Sequence, residues 1–152
     1  MASPTHNYSI YAIPAYWVLS VLPHNYAIRT IKAANNGRWD NSNPRSSNWN
    51  ASVQKSVPAA TFARYERAEA AHKNGFENLP VFVGAVILGN MAKLPPATLN
   101  AVTGAYLVSR IVYTLAYINV EQRKYSLART GIYLSGIFMC MYLIVRAGNV
   151  LF

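Results

Sequence analysis

The sequence predicts an all-α membrane protein, a four-helix transmembrane bundle formed by a single domain over residues 1–152. Apolar residues make up 53% of the chain and charged ones only 12%, against roughly a quarter charged in an average soluble domain. The apolar residues fall in long runs, and a run of about 17–25 residues is what crosses a hydrocarbon core of ~30 Å. Eleven Tyr and three Trp suit a protein that needs amphipathic rings at two membrane interfaces. A chain of this length leaves no room for an appended catalytic module.

The first helix is expected over about residues 7–32. Its stretch 7–28 holds no Lys, Arg, Asp or Glu and is closed by Arg29 and Lys32. Pro14 and Pro23 fall within it and imply kinks, which membrane helices tolerate better than soluble ones. Residues 1–10 lack the basic start of a cleaved signal peptide, so the stretch reads as a retained span. Residues 33–58, rich in Asn, Ser and Arg, are expected to form a long polar loop. A second helix is expected over 59–92, polar in its first half and apolar over 79–91. Pro95 and Pro96 break the chain before a third helix at 96–121, apolar except for Arg110. A hydrophilic turn then leads to a fourth span over 126–148, bounded by Arg129 and Arg146.

Basic residues concentrate in and around the first loop (Arg29, Lys32, Arg38, Arg45, Lys55, Arg64, Arg67) and in the third (Arg123, Lys124, Arg129). By the positive-inside rule both loops are cytosolic and both termini lie on the far side. The net charge of +9 does not imply nucleic acid, because the cations are scattered between apolar runs and form no basic stripe. The lone Cys140 excludes a disulfide framework or a multi-Cys metal site. His72 has no second His or Cys beside it, which argues against metal there. The sequons at Asn7 and Asn50 depend on which compartment each faces.

Chemistry enters with the ionisable residues inside the spans, which cost ~2.5–3.5 kcal/mol each on insertion scales and normally face a cavity or a partner. At 3.6 residues per turn, Arg67, Asn74 and Glu77 or Asn78 fall near one face of the second helix, and Arg110, Tyr113 and Tyr117 form a stripe on the third. Facing one another at the cytosolic half of the membrane, the two stripes would enclose a polar cavity. Arg110 would there neutralise Glu77, either as a structural ion pair or within a ligand site. Arg67, Lys73, Asn74, Arg110, Tyr113, Tyr117 and Arg129 outnumber the nearby carboxylates Glu77 and Glu121. An anionic ligand such as the tripeptide thiol glutathione would balance that excess.

The segment from Arg67 through Lys73, Asn74, Glu77 and Pro80 to Phe82 resembles the second-helix signature of the membrane-associated proteins in eicosanoid and glutathione metabolism, the MAPEG family. That signature is an Arg, then an Asn, an acidic residue three later, and Pro-x-Phe. Arg110-x-x-Tyr113-x-x-x-Tyr117 in the third helix and Arg129-Thr130 opening the fourth also match the family, and the likeness, to microsomal glutathione transferase-like members, covers nearly the whole chain. The resemblance implies a homotrimer of four-helix bundles in the endoplasmic reticulum, termini lumenal, with glutathione bound between neighbouring subunits. Arg67, Lys73, Asn74, Glu77, Arg110, Tyr113 and Tyr117 would hold the peptide, and Arg129 would be the catalytic group near sulfur. A guanidinium there lowers the pKa of a thiol from about 8.5 and populates the nucleophilic thiolate. Thr130 and Tyr133 favour Arg129 over Arg123 for that place.

The activity implied is a glutathione-dependent transferase, and by extension a peroxidase, acting on lipophilic molecules that arrive from the membrane. Two departures from the family pattern bear on it. Ala70 stands where many eicosanoid-type members carry Arg, and Lys73 replaces a basic group with a point charge lacking the bidentate fork of Arg. The alternatives are a non-catalytic lipid-binding scaffold of the same fold, and an isomerase or cyclase of a lipophilic metabolite that consumes no glutathione.

Overall fold

The structure, a computed structural model, describes residues 6–122, 124 and 126–152. A 3₁₀ turn at Ser9–Tyr11 leads into α1 (Ala12–Ala34), followed by α2 (Ser47–Ser56), α3 (Ala59–Met91), α4 (Pro96–Asn119) and α5 (Ser126–Leu151). The described residues contain no strand.

Local chemistry sets the helix boundaries. Pro14 lies in the first turn of α1, where a backbone N–H has no intrahelical partner to lose. Pro23 and Pro80, inside α1 and α3, each remove one helical hydrogen bond. At the end of α1 Asn36 takes φ +50° and the Gly37 N–H donates to the Lys32 carbonyl at 2.8 Å. The same closure ends α3, with Lys93 at φ +52° and the Leu94 N–H bonded to the Gly89 carbonyl at 3.0 Å. A left-handed residue followed by this back-bond satisfies carbonyls that a helix end leaves open. Pro96 then opens α4 at its first turn, where its fixed φ suits a helix start.

The expected loop over 33–58 is corrected by α2. Ser46 caps it, accepting from the Trp49 N–H at 3.1 Å. Val53 and Val57 bury against Ile31, Phe62 and Tyr65, and the Trp39 and Trp49 rings meet edge to face at 5.7 Å. Trp49, Val53 and Val57 recur every four residues, a one-sided stripe too sparse among Asn and Ser to stand out as helix.

α1 packs most extensively on α3, and α5 lies against both α3 and α4. One core cluster centres on Tyr16, Phe82 and Tyr106. There the Phe82 and Tyr106 rings stack at 4.1 Å and Tyr16 meets both edge on, at 5.2 and 5.0 Å. A second cluster, Ala27, Ile31, Phe62, Tyr65, Ala68 and Ile118, joins α2 to the polar end of the bundle.

Pro96–Asn119 and Leu127–Leu151 are long and apolar enough to cross a bilayer. Their outward faces carry Val108, Ile111, Val112 and Leu115, and Leu134, Phe138, Met141 and Val145, all exposed. An apolar surface of that extent needs lipid or protein to cover it. α1 and α3 fall short of the same requirement. α1 is diluted by Pro23, His24 and Asn25, and α3 by its polar first half.

Candidate functional site

The site forms where α3, α4 and α5 converge. Arg110, Tyr113 and Tyr117 share one stripe of α4, and that stripe faces α5 and the middle of α3. Arg110 is only 4% exposed. Its Nη2 donates to the carbonyls of Ile132 at 2.9 Å and Tyr133 at 3.1 Å, one turn of α5. Its guanidinium carbon lies 5.2 Å from the Tyr106 and Tyr113 ring centres and 5.6 Å from that of Tyr133. Helical carbonyls retain a second lone pair, so a guanidinium can bridge two helices without unzipping either. Three aromatic faces provide the rest of its stabilisation.

This overturns the expected pairing of Arg110 with Glu77. Among the described residues no ion pair joins them. Glu77 is exposed on α3, and Arg110 is held by backbone and rings instead. The charge that looked available for a ligand ties α4 to α5.

Beside Arg110 the side chains turn outward into a cleft. The Asn74 amide donates to the Tyr113 hydroxyl at 2.7 Å. Tyr113 lies 5.5 Å from Tyr117 and 5.8 Å from Tyr133, ring centre to ring centre. The Arg129 guanidinium packs 4.9 Å from the Tyr117 ring centre. Its Nε is buried, with no hydrogen-bond partner among the described residues. Asn74, Tyr113, Tyr117, Arg129, Thr130 and Tyr133 together line an open cleft of about 320 Å³. A void of about 10 Å³ between Asn74, Tyr113, Arg110, Tyr16 and Ser20 separates it from the bundle interior, roughly the room of one water. Beyond that void, an apolar groove of about 260 Å³ runs between α1 and α4 along Leu19, Leu22, Pro23, Ile111, Leu115 and Ile118.

Four of the sequence-derived candidates, Asn74, Tyr113, Tyr117 and Arg129, thus come together. Arg67 lies elsewhere: its Nε donates to the Ile118 carbonyl at 2.9 Å and its Nη2 to Glu121 at 2.7 Å, which caps the end of α4. Lys73 is exposed and lines a different cavity, with Arg45, Glu66 and Glu69. Arg123, the other candidate for the sulfur side, lies outside the described residues. Tyr133 is a lining residue that the charge pattern did not select. It is legible as the residue one helical turn beyond Arg129, on the same face.

The lining supplies one guanidinium, three phenols, an amide and a hydroxyl, and no carboxylate. Such a wall favours an anion. The model of the MAPEG family matches residues 9–149. No curated protein and no solved structure matches the chain significantly.

Proposed function

Because the chain belongs to the MAPEG family, we propose that the cleft between α3, α4 and α5 holds glutathione and that the protein joins its sulfur to lipophilic electrophiles drawn from the membrane, a carbon–sulfur bond forming as the thiol proton is lost and the electrophile's leaving group departs. The observation that carries this reading is a cleft whose wall holds the Arg129 guanidinium, three phenols, an amide and a hydroxyl, with no carboxylate. Glutathione, when bound, supplies a nucleophilic sulfur. Arg129 stabilises that sulfur as thiolate, since a nearby cation favours the charged form. The Tyr117 ring, 4.9 Å from the guanidinium carbon, holds that cation in place by its ring face. Asn74 and Tyr113 form a hydrogen-bonded pair whose remaining donor and acceptor capacity faces the peptide. Arg110 braces Tyr113 and Tyr133 from behind and takes no part in the chemistry.

The lipophilic acceptor enters from the bilayer, and the apolar groove between α1 and α4 supports its access to the interior. In this reading α1 and α3 also span the membrane, giving four crossings with both termini in the lumen of the endoplasmic reticulum. The working unit is a homotrimer, in which the exposed Glu77 and Lys73 face neighbouring subunits. The deciding experiment is a thiol-transfer assay on purified protein in nanodiscs, with glutathione and a small aromatic electrophile, comparing the natural chain with Arg129→Ala and Asn74→Ala. Turnover that depends on glutathione and falls by about 10²-fold or more in Arg129→Ala supports the proposal. Turnover equal in the two variants and the natural chain refutes it.

A further inference from the structure

Behind the cleft, the void of about 10 Å³ has a wall unlike the apolar core around it, for Arg110, Asn74, Tyr113, Thr114 and Ser20 all line it. A space of that size takes one water, provided that about two to four polar groups receive it.

Two of these side chains bring hydrogen-bonding capacity that the described residues leave unmet. Arg110 is nearly fully buried. Its Nε donates to the Ser109 hydroxyl at 3.4 Å and its Nη2 to the carbonyls of Ile132 and Tyr133. A Cβ at Gly136 would meet Nη2, Cζ and Nε of the guanidinium, so that edge lies against α5 and Nη1 turns away from it, back towards the interior. Among the described residues no hydrogen bond takes up Nη1. Thr114 is the second case. Ser20, Thr30, Thr103, Ser109 and Ser135 each return their hydroxyl to a carbonyl of their own helix, the usual local partner of a hydroxyl inside a helix. Thr114 makes no such bond among the described residues, and its side chain lines the void. The Asn74 amide nitrogen donates to the Tyr113 hydroxyl at 2.7 Å, which leaves Oδ1 of Asn74 as an acceptor beside the same void.

We propose that the void holds one ordered water, which accepts from Nη1 of Arg110 and donates to Oδ1 of Asn74 and to Oγ1 of Thr114. About three partners is the usual number for a buried water. The direction of the bridge is fixed at its origin, because a guanidinium only donates. A water that donates to Oδ1 holds the Asn74 amide with its nitrogen towards Tyr113. The Tyr113 oxygen accepts there, and its own proton is left for the cleft. Each bond polarises the next in the same sense. A buried cation thus sets, through a water and an amide, the polarity that Tyr113 presents to a ligand, which is that of a donor suited to an anion. Arg110 and Thr114 are positioning residues in this arrangement, since neither lines the cleft itself. The water site stands on the geometry of the void, and its effect on a ligand rests on the reading of the cleft as a glutathione site.

The test has two arms, both on the full chain in nanodiscs. The first is an experimental density map at a resolution that shows ordered waters, with and without glutathione. One peak is expected in the void in both maps, within about 3.2 Å of Arg110 Nη1 and Asn74 Oδ1. The second is calorimetric titration with glutathione of the natural chain, Thr114→Val and Thr114→Ser. Val removes the hydroxyl at nearly constant volume and should weaken binding about three- to tenfold. Ser restores the hydroxyl and should bind within about twofold of the natural chain. Unfolding in mixed micelles reports whether each variant keeps its fold. No peak in the void, a peak out of reach of Nη1, natural affinity in Thr114→Val, or equal losses in the Val and Ser variants overturns the proposal. A natural chain that binds no glutathione while the map shows the bridging peak refutes the reading of the cleft and upholds the water site.

Discussion

Gly136→Ala tests the arrangement around Arg110 most sharply, because one methyl group addresses one contact. A Cβ at Gly136 would meet Nη2 of Arg110 and come within 2.7 Å of Cζ and 3.1 Å of Nε. The guanidinium cannot swing into solvent to make room, being buried beneath three aromatic rings. It must instead leave the carbonyls of Ile132 and Tyr133, which it now holds at 2.9 and 3.1 Å. Hydrogen bonds to a charged donor contribute about 1.5–3 kcal/mol each. The two carbonyls keep their helical partners, so displacement of the cation costs about 2–4 kcal/mol. Replacing Gly by Ala within a helix returns about 0.8–1 kcal/mol, leaving a net loss of about 1–3 kcal/mol. Gly104→Ala, on α4, meets nothing within 4 Å and should be neutral or slightly stabilising. Reversible unfolding by sodium dodecyl sulfate in mixed micelles, followed by circular dichroism, compares the two. Thiol-transfer kinetics should show a lower kcat/KM for Gly136→Ala alone, because Tyr113 and Tyr133 lose their brace. A Gly136→Ala protein as stable and active as the natural chain would refute the bridging role of Arg110.

Further outcomes follow from other contacts. Arg129→Lys should retain part of the thiol-transfer rate that Arg129→Ala loses, since it keeps a charge but lacks the planar fork of the guanidinium that lies over Tyr117; a pH–rate profile shifted to higher pH in both variants reports the weaker hold on thiolate. Gly75→Ala should destabilise by about 1–3 kcal/mol, because its Cβ would lie 2.8 Å from Ser20 Oγ and 3.2 Å from Ser20 Cα and would push α1 from α3; the same mixed-micelle unfolding measures it. Asp40 is held below its ordinary pKa of 3.8 by the Ser42 hydroxyl and then the Ser42 N–H. Because a lowered carboxyl pKa stabilises the folded turn above its ordinary value, that contribution should persist at neutral pH and vanish as pH falls through the lowered value. The Ser42 amide shift in a nuclear magnetic resonance titration follows this, and Asp40→Asn should remove the pH dependence.

The long helices were legible because each is announced by a local signal. Pro95 and Pro96 stop and restart the chain, the charge-free stretch in α1 ends at Arg29, and α4 and α5 are apolar over helices long enough to cross a bilayer. α2 was not legible, since only Trp49, Val53 and Val57 mark its buried face and their partners Ile31, Phe62 and Tyr65 lie on other helices. In the site, stripe arithmetic grouped Tyr113 with Tyr117 correctly because both belong to one helix. It could not fix which face of α3 meets α4. Asn74 reaches Tyr113, whereas Lys73, one residue earlier and about 100° around the helix, opens onto the other cavity. Arg67, on the Asn74 side by spacing, is taken by the Ile118 carbonyl, an acceptor that no side-chain pattern reveals.

Arg110 and Arg129 show why residue type and burial cost alone do not assign function. Both are guanidiniums set against tyrosine rings at the junction of α4 and α5, and the insertion penalty for a cation applies to each. What separates them is the supply of acceptors. Arg110 finds two helical carbonyls within 3.1 Å and three rings, so its burial needs no carboxylate and no ligand. Arg129 has Tyr117 beneath it and an Nε–H that meets no acceptor among the described residues, at the edge of an open cleft. A residue whose hydrogen-bonding capacity is met within its own fold contributes to stability, and one that lines an open cleft with part of that capacity unmet is the stronger candidate for chemistry. On that criterion Arg110→Met should lower stability, with an activity loss that follows the displacement of Tyr113 and Tyr133. Arg129→Ala should remove activity while leaving unfolding nearly unchanged. A reversed pattern in the two measurements would exchange the roles assigned to the two arginines.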